Sequence, residues 1–156
     1  MKELKCDFHI VGGALTGLLT AYCISKLGYK VIISEKKIIK NNIKKSISDT
    51  RTTAIAQGSK VFLETQGLWN DIQPFAEPIK NINVLDQAAN SKLFFSNPSQ
   101  KHNLGYIVKN SKLITLLIKR LKKIKNVNIV SGSSLKSISY LNSKIISLSN
   151  NKKIIS

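Results

Sequence analysis

Short apolar runs flank an amphipathic stretch near the start of the chain. Residues 8–11 form the first apolar run, and residues 30–35 form a second run that ends in Glu35. Between them, apolar side chains recur at helical spacing over about residues 16–27, and Gly28 is placed to end that helix. The pattern predicts a strand, a helix and a second strand parallel to the first.

The middle of the chain has the pattern of helices and short inserted strands. Residues 49–59 are expected to lead into a helix that Gly67 ends, with Leu68 and Trp69 folding back beyond it. Two short antiparallel strands are expected near residues 79–86 and 92–96. Before these strands, a loop is expected between Pro74 and Pro78. A turn at Asn90 and Ser91 is expected to join the two strands.

Apolar runs return in the last third of the chain. A brief strand at 105–108 precedes a helix that Asn110 or Ser111 caps and that runs to about Lys123, and residues 127–130 predict a third parallel strand. The alternation that follows predicts a hairpin of residues 135–141 and 144–148 and the start of another strand at 152–155.

These elements predict an α/β fold with a parallel sheet, a Rossmann-like β–α–β unit and a small antiparallel insertion. We expect one incomplete domain over residues 1–156. Within it, residues 1–35 form the β–α–β unit, residues 36–131 carry the helices and inserted strands and return to the sheet, and residues 132–156 form a hairpin and a truncated strand.

The candidate chemistry lies in the turn between the first strand and the first helix. Gly12, Gly13 and Gly17 allow main-chain amides and the positive end of the helix to face phosphate oxygens. Ala14 stands where a full dinucleotide fingerprint carries glycine, which is costly only if that position needs a positive φ. Glu35, 18 residues after Gly17, can accept hydrogen bonds from ribose hydroxyls. The alternative is an ordinary strand–turn–helix with glycines for packing.

Composition and charge bear on nucleic-acid binding, membrane association and metal binding. The chain of 156 residues has a net charge of +17, but only two of its 25 basic residues are arginines, so we do not expect specific nucleic-acid binding. The lysines occur among many asparagines and isoleucines, so we interpret them as solvated surface residues of a chain rich in Lys, Asn and Ile. Attraction to an anionic membrane surface is favoured over nucleic-acid binding. Cys6 and Cys23 lack metal-ligand spacing, and we expect them to be buried and reduced. No apolar run approaches the ~20 residues of a membrane span, and we see no secretory signal. The expected location is cytoplasmic, or peripheral on the inner membrane face.

Five separated segments carry a family resemblance, at residues 10–17, 49–55, 67–69, 77–79 and 104–113. The Asp-x-Arg-x-x-Ala pattern at residues 49–54 is more specific than the glycine turn. In sequence and in order, these segments resemble the FAD-dependent hydroxylases of ubiquinone biosynthesis. This branch of the aromatic-ring monooxygenases includes the octaprenylphenol and methoxyphenol hydroxylases, and the chain is similar to their amino-terminal portion only.

The resemblance implies a binding site for FAD. The residues that it places along the pyrophosphate are Gly12, Gly13, Ala14, Thr16 and Gly17. Glu35 would hold the adenosine ribose, and Arg51 matches the family arginine that reaches the phosphate–ribityl region. A surface arginine that caps the preceding turn is the alternative for Arg51. Asn110 fits a position near the cofactor, although a helix cap explains it equally well, and Ser111 departs from the arginine common in relatives.

The resemblance also implies the reaction. NAD(P)H reduces the flavin, which activates O2 to hydroxylate a phenolic quinone precursor. This chain lacks the later Asp-Gly and Gly-Asp segments of its relatives, so we expect little or no activity from it alone. The alternatives are a nucleotide-binding module that acts with a second polypeptide and a non-catalytic basic surface-binding protein. We predict no catalytic residue and no metal site, because neither His9 nor His102 has suitable partners in the sequence.

Overall fold

The computed structural model describes residues 2–38, 50–86, 91–96, 103–149 and 152–156. The chain divides into two compact units: the first unit comprises Met1–Ser48 and Ile114–Ser156, and the second comprises Asp49–Leu113. The strands within the described residues are β1 (Lys2–Lys5), β2 (Phe8–Val11), β3 (Val31–Glu35), β4 (Thr52–Ala56), β5 (Glu77–Ile79), β6 (Asn81–Asp86), β7 (Ser91–Ser96), β8 (Gly105–Lys109), β9 (Val127–Ser131), β10 (Leu135–Leu141), β11 (Lys144–Ser149) and β12 (Lys152–Ile155). The α-helices are α1 (Leu15–Lys26), α2 (Gln57–Thr65), α3 (Trp69–Ile72) and α4 (Asn110–Leu121).

The first unit contains a parallel sheet of order β2-β3-β9. All of the first four residues of β3 are buried, as expected for the middle strand of a parallel sheet. Helix α1 connects β2 to β3 and buries one side, whose members are Leu18, Ala21, Tyr22 and Ser25. Its bounds differ by one residue from the predicted ones, and Gly28 follows it with φ +91°, a conformation that favours glycine.

The first unit contains a second sheet of order β1-β12-β11-β10. Strands β10 and β11 form the predicted antiparallel hairpin, and β12 continues it. Residues 2–5, which lie outside the predicted strands, form the separate strand β1, parallel to β12. The reason is pairing and packing: Leu4 lies opposite Ile154, and both belong to a cluster with Ile32 and Val130.

The second unit contains a three-stranded antiparallel sheet of order β4-β8-β5. Strand β4 differs from the prediction, because residues 49–59 do not pass directly into the helix. Residues 52–56 first pair with β8 along their whole length, and α2 begins at Gln57. Pro78 lies within the short edge strand β5 rather than at the border of a loop. Leu68 and Trp69 are buried just after Gly67, as predicted.

Strands β6 and β7 form an antiparallel hairpin within the second unit, close to the predicted bounds. The register places Ile82 opposite Phe95 and Val84 opposite Leu93, so these four side chains share one face of the hairpin. We call it the apolar hairpin face. All four side chains are exposed, at 42–58% of their area. The predicted turn at Asn90 lies outside the described residues, whereas Ser91 belongs to β7.

Candidate functional site

Two of the glycines in the turn between β2 and α1 are required by the backbone. Gly12 has φ +109°, a region that other residues rarely occupy. Gly17 has ordinary dihedral angles, but a Cβ there would overlap the carbonyl oxygen of Gly12 and lie 3.3 Å from a methyl carbon of Ile10. The first glycine therefore allows the chain to turn, and the second lets α1 approach the end of β2 closely.

Ala14 occupies the position at which we expected strain if φ were positive. Its φ is −86° and its ψ is −176°, which is extended backbone that alanine adopts without cost. It is the N-cap residue of α1, and its carbonyl accepts the first helical hydrogen bond, from the amide of Leu18 at 2.9 Å. The missing glycine of the fingerprint therefore introduces no backbone strain.

The amides at the N-terminus of α1 are suited to an anion. Leu15, Thr16 and Gly17 occupy the first turn, where amides have no partner within the helix. Ala14 supplies no side-chain cap, and this turn contains no acidic residue. A diphosphate fits this arrangement because main-chain donors and the helix dipole both favour negative charge.

Glu35 lies at the end of β3, beside the turn. Its Oε2 accepts a hydrogen bond from the amide of Gly13 at 2.6 Å, and its Oε1 accepts one from the amide of Lys37 at 2.8 Å. Its carbonyl oxygen accepts a third, from the amide of Ser133 at 2.9 Å. The structure therefore brings Glu35 to the glycine turn, as the sequence predicts, and adds contacts that the sequence does not reveal.

His9 lies in β2, three residues before Gly12 of the turn. Its Nε2 is 2.8 Å from the hydroxyl of Ser34, a residue buried in β3. Burial lowers the pKa of the His9 imidazole from its ordinary value. The pair links the two parallel strands through side chains, beside their ladder of main-chain hydrogen bonds.

Arg51 belongs to the second unit, directly before β4. Its carbonyl oxygen accepts a hydrogen bond from the amide of Asn110 at 3.0 Å, and the Asn110 side chain accepts one from the Thr53 hydroxyl at 2.6 Å. Thr53 was not among the predicted site residues. Its spacing of two residues from Arg51 on an extended segment, which places both side chains on one face, was the available signal. The role of Arg51 toward a cofactor remains a prediction.

The cysteines and the metal-binding groups add no further site within the ranges that the structure describes. Cys6 and Cys23 are free thiols, and both are partly exposed rather than fully buried, contrary to our expectation. Partial burial raises the pKa of each thiol. No group of three or more His, Cys, Asp or Glu side chains is placed to hold a metal ion in these ranges. Among the same residues, no helix is long and apolar enough to span a membrane.

Comparison with known proteins shows what the chain is similar to. No protein-family profile matches it. Ubiquinone hydroxylase UbiL of Rhodospirillum rubrum is 28% identical over 118 residues, which cover 76% of this chain and 27% of that protein. The chain thus spans about a quarter of the length of this relative.

Solved structures share the fold over nearly the whole chain. The p-nitrophenol 4-monooxygenase PnpA of Pseudomonas putida superposes with a TM-score of 0.76 and 18% identity, over 99% of this chain and 40% of that one. The flavin-dependent monooxygenase PieE, in complex with FAD and substrate, gives a TM-score of 0.78 and 13% identity, over 100% of this chain and 30% of that one. The predicted resemblance is therefore confirmed: the chain has the mixed α/β fold of part of a flavin-dependent monooxygenase, and its sequence is similar to a ubiquinone hydroxylase.

Proposed function

We propose that this chain is the FAD-binding part of an FAD-dependent aromatic-ring hydroxylase of ubiquinone biosynthesis. The observation that carries the proposal is the unit β2–α1–β3, in which the first-turn amides of α1 have no partner within the helix and the Glu35 carboxylate lies beside the glycine turn. The fold and the similarity to ubiquinone hydroxylase UbiL support the same assignment.

Each residue of the turn has a part in this proposal. The residues that line the diphosphate of FAD are Gly12, Gly13, Ala14, Thr16 and Gly17. Glu35 accepts hydrogen bonds from the adenosine ribose, and Arg51 pairs with the phosphate–ribityl region through its planar guanidinium. When bound, FAD supplies the redox chemistry, with NAD(P)H as reductant, O2 as oxidant and a small phenolic quinone precursor as substrate.

We also infer that the chain alone gives little or no hydroxylation. Its sequence contains neither an Asp-Gly nor a Gly-Asp pair, and the resemblance implies that such segments complete the flavin pocket. The main contribution of this chain is then to bind and orient the adenine half of the cofactor.

Calorimetry with ADP and with FAD tests the proposal directly. The purified chain is expected to bind both ligands and to show no robust FAD-dependent oxidation of NAD(P)H. A well-folded sample that takes up neither ligand would disprove nucleotide binding, and robust turnover would disprove the inferred inactivity.

A second candidate is a nucleotide-binding module that works with a second polypeptide. The apolar hairpin face favours it, because a two-stranded hairpin with an exposed apolar face is only marginally stable in water. Flavin-loaded protein obtained only on co-expression with that polypeptide would support this candidate. Equal flavin content with and without it would exclude the candidate.

A further inference from the structure

The carboxylate of Glu35 connects two main-chain segments. One oxygen accepts the amide of Gly13 in the turn, and the other accepts the amide of Lys37 just beyond β3. Both oxygens of a single side chain are thereby engaged with backbone donors. Hydrogen bonds to a carboxylate are about twice as strong as those between neutral groups.

These contacts limit which amides of the turn can serve a phosphate. The amide of Gly12 donates to the carbonyl of Ser34 at 2.8 Å, as a continuation of the parallel ladder. The amide of Gly13 donates to Glu35. The first two amides of the turn are therefore used within the protein, and the donors left for an anion belong to the N-terminus of α1.

Gly13 is required by this contact, not by its backbone conformation. A Cβ on Gly13 would lie 3.1 Å from the Cβ of Glu35 and 3.2 Å from its Oε2. Such distances are shorter than ordinary van der Waals contact, so a larger residue would push the carboxylate away from the amide. Gly13 and Glu35 are complementary in shape as well as in hydrogen bonding.

We propose that Glu35 is a positioning residue, which holds the glycine turn in its anion-binding shape before any ligand arrives. The proposal rests on the nucleotide binding proposed above. A carboxylate offers about four acceptor positions on its two oxygens, and the two amides use one on each. The position that remains on each oxygen suits a ribose diol, so Glu35 binds the sugar while it still holds the turn.

Inorganic pyrophosphate separates this role from that of a simple ribose acceptor, because it has no sugar. Calorimetry would measure ADP and pyrophosphate binding to the intact chain and to the Glu35→Gln variant. The two amides meet different oxygens of Glu35, and in Gln one of these positions is an NH2 donor, so one of the two amides loses its acceptor. We expect the affinity for both ligands to fall about tenfold. Removal of a negative charge near an anion site would by itself strengthen pyrophosphate binding, so the expected change has the opposite sign to the Coulomb effect.

Amide hydrogen exchange, followed by NMR in ligand-free protein, reports on the turn directly. In Glu35→Gln, the amide of Gly13 is expected to exchange about tenfold faster than in the parent chain. Glu35→Asp keeps the charge but shortens the side chain by one carbon, so it is expected to behave like Glu35→Gln.

Asp7→Asn is the matched control. The Oδ2 of Asp7 accepts the amide of Lys30 at 2.7 Å, at the opposite end of β2 and β3, with the same change from acid to amide. We expect ligand affinities within about twofold of the parent chain, because this contact lies away from the turn and Asn keeps one acceptor for its single amide.

The outcomes distinguish the two claims. Unchanged or tighter pyrophosphate binding by Glu35→Gln, with loss of ADP binding alone, would overturn the positioning role and leave the proposed function intact. If the parent chain binds neither ligand, the proposed function fails. In that case an unchanged exchange rate of Gly13 in Glu35→Gln would also overturn positioning, and a faster rate would support it.

Discussion

The glycine turn of the first unit and the β6–β7 hairpin of the second unit use apolar strands in opposite ways. Beside the turn, β3 buries Ile33 completely, and the polar groups around it are paired with one another. In the hairpin, Val84 has a strand neighbour on the same face but remains 45% exposed. The turn is fully specified by its own surroundings. In the hairpin, the register between β6 and β7 determines which apolar side chains share a face, but it leaves them exposed.

The difference separates two kinds of constraint on the sequence. Around the turn, a Cβ added to Gly17 meets backbone and one added to Gly13 meets the Glu35 carboxylate, so the turn tolerates few substitutions at these positions. On the apolar hairpin face, the side chains are exposed to water, so the folded chain alone places little restriction on which residues occupy these positions. The presence of four apolar side chains there is better explained by a covering surface than by the stability of the hairpin.

The largest expected effect is that of Gly17→Ala. The new methyl group would overlap the carbonyl of Gly12, so the turn and α1 must separate, with an expected loss of about 4 kcal/mol in the free energy of unfolding. Urea denaturation measures it. Gly58→Ala in α2 is the control, because nothing lies within 4 Å of the added Cβ. It should stabilise the protein by about 0.5 kcal/mol. Equal stabilities of the two variants would contradict the geometry of the turn.

The next effect compares Ile33→Ala with Val84→Ala. The former leaves a cavity at a fully buried site and is expected to cost about 3 kcal/mol. The latter removes exposed methyl groups and is expected to cost less than about 1 kcal/mol. The same denaturation experiment applies. A large loss in Val84→Ala would mean that the hairpin face is covered within the chain.

Gly12→Ala and Ala14→Gly test which position of the glycine turn requires glycine for its backbone conformation. Gly12 has a positive φ, so alanine there is expected to cost about 1–2 kcal/mol. Ala14 is unstrained, so Ala14→Gly relieves nothing and is expected to reduce stability by less than about 1 kcal/mol. A clear stabilisation by Ala14→Gly, seen as a rise in the melting temperature, would show hidden strain at Ala14.

The smallest effect is a pH dependence from His9. Burial lowers its pKa in the folded state below the ordinary value of 6.5, so the unfolded chain binds the proton more readily. This stabilisation is complete above pH 6.5 and is lost as the pH falls toward the lower, folded-state pKa. His9→Gln is expected to flatten the decline in melting temperature between pH 7.5 and 5.5. An unchanged slope would show that other groups determine it.

The sequence was sufficient for elements whose pattern is local. The unit β2–α1–β3 and the β10–β11 hairpin follow from periodicity and glycine placement, and Glu35 was correctly placed beside the turn. Strand β1 was missed because residues 2–5 contain a single apolar side chain, Leu4, and form a strand only by pairing with β12.

The contacts within the site depend on side-chain directions that no spacing encodes. The bonds from Gly13 and Lys37 to Glu35 require one particular rotamer of that residue, and the Thr53–Asn110 bond joins segments 57 residues apart. A sequence pattern gives the position of such residues along the chain, but tertiary packing determines which partner each one meets.

The pairing of β1 with β12 has a consequence for folding. Residues 2–5 find their strand partners at residues 152–155, and the amide of Cys6 bonds to the carbonyl of Ile155. A nascent chain leaving the ribosome must therefore keep its first strand unpaired until the last described one has been synthesised. Closure of so long a loop slows folding, and the unpaired edge of β1 is open to strand exchange between molecules during that interval.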